Sequence, residues 1–108
     1  MARMQTRLDA TKLITEKAFQ QAVVDLARLN GWLCYHTYDS RRSEAGFPDL
    51  VLVKGRVLIF AELKKEKGRL TKDQAAWREA LWNVPKIGVC LWRPSDWNAI
   101  KATLERED

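Results

Sequence analysis

Two apolar runs rich in β-branched residues, residues 50–53 and 57–61, flank a short break, and this stretch constrains the fold most. A glycine-containing break of two residues between such runs is typical of a β-hairpin. We take Lys54 and Gly55 as the turn, so that Val53 pairs with Arg56 across the hairpin. The sequence therefore predicts an antiparallel strand pair beside an apolar core.

Three charged residues end these strands: Asp49, Glu62 and Lys64. Burying an unpaired charge is costly, so charged side chains beside a core need a reason. Because side chains alternate along a strand, Glu62 and Lys64 share one face. The two-residue turn places Asp49 on that face, opposite Phe60 and diagonal to Glu62, with Cβ atoms about 7 Å apart. A three-residue turn would place Asp49 on the opposite face.

Two carboxylates at that spacing can bind one hard cation such as Mg²⁺, which prefers oxygen ligands. The ammonium group of Lys64 can orient a water molecule beside the cation or stabilise a developing negative charge. The structural alternative is an Asp49 that belongs to a Pro-Asp turn and a surface pair of Glu62 and Lys64 at a strand end.

A sequence motif favours the functional interpretation. Pro48-Asp49, followed after twelve residues by Glu62-Leu63-Lys64, resembles the PD-(D/E)xK motif of restriction-endonuclease-like nucleases. The wider pattern resembles the VRR-NUC family within them, through GFPDL at residues 46–50, ELK at 62–64 and LTKDQ at 70–74. The similarity extends over about residues 16–92.

The resemblance implies a small α/β sandwich of the restriction-endonuclease-like type, in which helices flank a mixed central β-sheet in the order αβββαβα. It also implies metal-dependent hydrolysis of phosphodiester bonds in DNA. Mg²⁺ or Mn²⁺ would be bound by Asp49, Glu62 and the Leu63 carbonyl, with Glu16 as a further acidic ligand. Lys64 would position the attacking water molecule, and a glutamine at position 74 would face the active site.

The helices allow simpler interpretations of two of these residues. Periodic apolar residues predict a first helix at 15–30 with Thr15 as N-cap, where Glu16 in the first turn also favours the helix dipole. The second helix begins at a capping box of Thr71 and Gln74, which by itself explains Gln74. We further expect strands at 32–38 and 87–92, the second one central, and a last helix with Ser95 as N-cap.

Length and charge indicate one domain with a polyanionic partner. The chain has 108 residues and a net charge of +5. Residues 1–13 are predicted to form a flexible basic arm, and residues 14–108 a single VRR-NUC-like nuclease domain. Two basic loops could contact DNA phosphates, or could simply be solvated. Their basic residues are Arg41, Arg42, Lys65, Lys67 and Arg69.

The sequence also predicts the cellular compartment, the DNA substrate and the oligomeric state. Cys34 and Cys90 lie in apolar stretches, and no signal peptide or membrane-spanning run is present, which predicts a cytoplasmic protein. The resemblance implies branched DNA, as stand-alone VRR-NUC proteins look like junction-resolving enzymes. Cutting two strands of a four-way junction requires two sites, so we expect a homodimer. The alternatives are a restriction- or repair-type duplex nuclease and an inactive nucleic-acid-binding module.

Overall fold

The computed structural model describes residues 14–37 and 43–107. Residues 1–13, with the predicted arm, and the loop containing Arg41 and Arg42 lie outside the described residues. The elements follow the predicted order, with a short 3₁₀ helix, Pro94–Asp96, before the last α-helix. They are α1 (Glu16–Leu29), β1 (Leu33–His36), β2 (Leu50–Lys54), β3 (Val57–Leu63), α2 (Lys72–Trp82), β4 (Gly88–Trp92) and α3 (Trp97–Leu104).

The four strands form one mixed sheet in the order β1-β2-β3-β4. The hairpin β2–β3 and the pair β1–β2 are antiparallel, and β4 is parallel to β3. Strand β4 therefore lies at an edge of the sheet, and the expectation that it is central is wrong. Its apolar sequence instead reflects cover from α2, which packs against it.

The sheet has two different faces. Alternate residues of β2 and β3 point to the first, which we call the core face, and five of them are buried: Leu50, Leu52, Ile59, Ala61 and Leu63. Phe19 and Val23 of α1 and Ile100 and Leu104 of α3 complete that core. The residues between them, including Asp49 and Glu62, point to the second face, which we call the site face.

Helix α1 forms as its sequence predicts. Thr15 is the N-cap, and its Oγ1 accepts a hydrogen bond from the Ala18 amide at 3.0 Å. The buried residues recur at helical spacing, which gives the helix one apolar side. Gly31, with φ of +84°, lies just beyond the helix end, where a left-handed conformation favours glycine.

The hairpin turn differs from the prediction by one residue. Lys54 pairs with Val57, so the turn consists of Gly55 and Arg56 rather than Lys54 and Gly55. Gly55 has φ of +59°, and two-residue hairpin turns favour glycine where φ is positive. The pairing register thereby shifts by two residues, an even number, so each side chain keeps its predicted face.

Two element ends also differ from the prediction. Ser95 is not an N-cap, because it lies within the 3₁₀ helix and its amide donates to Glu66 Oε1 at 3.0 Å. Strand β1 begins at Leu33 rather than at residue 32, because the Trp32 amide donates to the Ala27 carbonyl of α1 at 3.0 Å. Across residues 14–37 and 43–107, no helix has the length and apolarity needed to cross a membrane.

Candidate active site

Asp49 and Glu62 lie side by side at adjacent strand ends. Continuing the β2–β3 register by one residue places them opposite each other, rather than diagonal as predicted. Their carboxyl groups share a hydrogen bond, and the Leu63 amide donates to Asp49 Oδ2 at 2.8 Å. The structure thus brings these two predicted site residues together on the site face, and it does so at closer range than the sequence indicated.

Glu62 is a buried charged residue, with only 5% of its surface exposed. Burial, followed by the hydrogen bond and the negative charge of Asp49, raises the pKa of Glu62 to about 9. The positive charge of Lys64 opposes this shift, and the negative charge of Glu16 adds to it. Without a cation, the Glu62 carboxyl therefore keeps its proton at neutral pH.

Gln74 has both of the roles that the sequence left as alternatives. Its Oε1 accepts from the Thr71 amide at 2.8 Å, and Thr71 Oγ1 accepts from the Gln74 amide at 3.1 Å, which completes the capping box. Its Nε2 donates to Glu62 Oε1 at 3.2 Å. One side chain therefore connects the start of α2 to the carboxylate pair.

Glu16 and Lys64 lie close enough to influence Glu62 through their charges. Glu16 is exposed in the first turn of α1, whereas Lys64 is half-buried and its amide donates to the Trp92 carbonyl at 3.0 Å. Within the part of the chain that the structure describes, no group of three His, Cys, Asp or Glu residues could hold a metal ion. Glu16 is thus a neighbour of the carboxylate pair rather than a third member of it.

The segment Gly46-Phe47-Pro48, which precedes Asp49, holds the start of β2 against α2. Gly46 has φ of +85°, and a Cβ atom there would lie 2.4 Å from the carbonyl carbon of Asp73. The Phe47 ring makes edge contacts with Phe60, at 6.2 Å between centroids, and with Trp77, at 5.1 Å. The glycine is therefore required for close approach, and the phenylalanine joins the site face to α2.

Arg93 is a residue that the sequence analysis missed. Its Nη1 donates to the carbonyl oxygens of Lys65 at 2.9 Å, Glu66 at 3.1 Å and Gly68 at 2.7 Å, and so fixes the loop after Lys64. Three basic side chains of this segment are exposed: Lys65, Lys67 and Arg69. The contacts join positions 25 to 28 residues apart, so no local sequence pattern could have revealed them.

The donor set fits a hard divalent cation. Asp49 and Glu62 offer oxygen atoms only, and Mg²⁺ is commonly bound by one or two carboxylates while it keeps several water molecules. A cation bound by these oxygen atoms would displace the proton of Glu62, so metal binding and deprotonation are linked. The chemistry of the carboxylate pair is therefore compatible with Mg²⁺ or Mn²⁺.

In the described residues, a mixed four-stranded sheet with flanking helices defines a small α/β domain that carries acidic residues at adjacent strand ends. A solved structure described as a VRR_NUC domain has this fold, with a TM-score of 0.64 and 19% identity over 86% of this chain and 97% of that chain. The sequence matches the VRR-NUC domain over residues 4–90, so the chain belongs to the VRR-NUC family of nucleases. No curated protein matches the sequence.

Proposed function

We propose that this chain is a metal-dependent endodeoxyribonuclease that hydrolyses phosphodiester bonds in branched DNA. The observation that supports this most is the pair formed by Asp49 and Glu62 on the site face of a VRR-NUC domain. These two carboxylates and the Leu63 carbonyl would hold Mg²⁺ or Mn²⁺, with Glu16 as a nearby negative charge that acts on Glu62. Lys64 follows on the same face.

The residues around the pair have separate roles in this proposal. A bound cation neutralises phosphate charge and lowers the pKa of a water molecule. Lys64 orients the attacking water or stabilises negative charge that develops on the phosphate. Gln74 donates to Glu62 Oε1 and so holds that carboxylate in one orientation.

A panel of labelled DNA substrates tests the activity. Four-way junction, flap, nicked and intact duplex substrates are incubated with Mg²⁺ or Mn²⁺, and in parallel with a chelator. We expect cleavage only with the cation, fastest on the junction, and none by Asp49→Asn. Cleavage in chelator would contradict the metal site. Equal rates on intact duplex would favour a restriction- or repair-type nuclease, and no cleavage of any substrate would favour an inactive binding module.

An open apolar part of the site face supports a homodimer. Leu33 and Tyr35 of β1 are 74% and 60% exposed, and they pair with Val53 and Val51 of β2, which point to the same face. An exposed apolar patch of this kind is typical of interaction surfaces. A second copy placed there would bring two carboxylate pairs to one assembly, as paired cuts in a junction require.

Sedimentation at micromolar concentration tests the dimer. Tyr35→Glu places a charge in the proposed interface and should yield monomers. Leu29→Glu is the matched control, because Leu29 of α1 is 82% exposed but lies outside the site face, and it should remain dimeric. A wild-type chain that is monomeric alone and on DNA would contradict the junction proposal and leave a nickase or flap nuclease.

An intracellular setting is part of the same proposal. Cys34 and Cys90 are free cysteines, as a reducing compartment favours. Burial raises the pKa of both thiols, which keeps them protonated and unreactive.

A further inference from the structure

A polar groove of about 570 Å³ lies between α1 and the end of β1. Two of its lining residues are cationic, Lys17 and Arg28, and most of the others are polar: Gln20, Gln21, His36 and Thr37. The charge of Arg28 lowers the pKa of the Cys34 thiol against the larger effect of burial, so its guanidinium lies near β1. The groove therefore combines two positive charges and several hydrogen-bonding groups with one negative charge, Glu16, and the apolar Val24.

The groove begins at the candidate active site. Glu16 lines its near end and acts through its charge on Glu62. Thr37 also lines it, and the Thr37 amide donates to the Asp49 carbonyl at 3.0 Å. A strand that passes over the carboxylate pair could therefore continue directly into the groove.

The dimensions of the groove match a segment of one nucleic-acid strand. Glu16 and Arg28 are twelve residues apart on a helix, which corresponds to about 18 Å. That length accommodates only a short stretch of one sugar-phosphate backbone, a few nucleotides at most. A volume near 570 Å³ has no room for a whole duplex, so one backbone is the fitting occupant.

We propose that this groove binds the phosphodiester backbone of one DNA strand next to the cleaved bond, with Lys17 and Arg28 contacting phosphates. The inference rests on the proposed nuclease function and adds a binding surface to it. Neither residue belongs to the two basic loops in which the sequence pattern indicated DNA contacts. Both residues belong to α1, whereas the loop that Arg93 fixes follows β3.

Anisotropy of a labelled 20-base-pair duplex and of its single strand measures binding in an Asp49→Asn background, which prevents cleavage. Lys17→Gln and Arg28→Gln should each raise Kd roughly five- to tenfold at 0.1 M salt on both probes, and each should reduce the salt slope by about 1. Arg56→Gln, in the hairpin turn at the far end of the sheet, is the matched control and should change neither quantity. Arg28→Lys should largely restore binding, which separates lost charge from misfolding.

A photo-crosslinking amino acid at Gln21 gives an independent measurement, because this side chain is exposed and lines the groove. We expect DNA crosslinks at position 21 and none at position 56. Unchanged Kd and salt slope in both variants, or equal crosslinking at the two positions, would overturn the groove proposal. The proposed function is judged separately by cleavage, since wild-type cutting that Asp49→Asn abolishes would stand even if the groove did not bind.

Discussion

The core face and the site face of the sheet are made by alternate residues of the same strands. On β3, Ile59, Ala61 and Leu63 point to the core face and are at most 3% exposed. Glu62, between two of them, points to the site face, where burial raises the pKa of its carboxyl group to about 9. Burial of the apolar residues stabilises the fold, at about 25 cal/mol per Å² of apolar surface. Burial of the carboxyl group opposes its ionisation and costs stability.

This difference teaches that one strand supplies stability on one side and chemistry on the other. A carboxylate that fits a cation is retained on the site face although it destabilises the metal-free protein. Substitutions on the two faces should therefore separate cleavage from stability.

The largest expected effect is on cleavage, from the site face. Asp49→Asn and Glu62→Gln each remove a charged oxygen ligand and should lower the cleavage rate by at least about 10²- to 10³-fold, with the fold and DNA affinity kept. Lys64→Ala should lose cleavage but still bind Mn²⁺. A nicking assay, circular dichroism and metal titration measure these three properties. Near-wild-type cleavage by any variant would remove that residue from the site.

The core face should show the opposite behaviour. Leu52→Ala leaves a cavity among fully buried residues and should cost about 2–5 kcal/mol of the free energy of unfolding. Cleavage at a temperature where the variant is folded should stay close to wild type. Urea unfolding and the nicking assay measure the two quantities. If Leu52→Ala lost cleavage while fully folded, the two faces would not be independent.

Gly46→Ala tests the connection between the site face and α2. The added methyl group meets the Asp73 backbone, and the positive φ disfavours alanine, so we expect a loss of about 1–3 kcal/mol in stability. Displacement of the segment before β2 should also move Asp49 and so lower the cleavage rate. Gly68→Ala is the control, because its Cβ atom would meet ordinary contact distances of 3.4 Å or more. Equal stability of the two variants would contradict the close packing of Gly46 against the Asp73 backbone.

Much of the fold could be predicted because its signals are local. Helical spacing and an N-cap defined α1, and alternation defined the hairpin. The turn was misplaced by one residue, yet Asp49 and Glu62 stayed on one face because the register shift was even. The edge position of β4 and the contacts of Arg93 depend on residues far apart in the sequence, so no local pattern contained them.

The last expected effect is on the pH dependence of stability without metal. The pKa of Glu62 is raised in the folded state, to about 9 from 4.5, so the folded state binds more protons between these values. The contribution of Glu62 to the free energy of unfolding should therefore be fully present below about pH 4.5 and fall as the pH rises toward 9. With chelator present, Glu62→Gln should flatten this dependence of Tm on pH, because glutamine neither takes up nor releases a proton. Parallel pH profiles of wild type and variant would contradict the assigned shift.

The two side-chain hydrogen bonds of Gln74 restrict which residues its position can accept. Its Oε1 accepts from the helix cap and its Nε2 donates to Glu62, so both ends of one amide are in use. Glutamate has the length but no donor, lysine has a donor but no acceptor, and asparagine is one methylene shorter. The helix cap and the carboxylate pair therefore select the same residue for different reasons, and a substitution that satisfies one requirement fails the other.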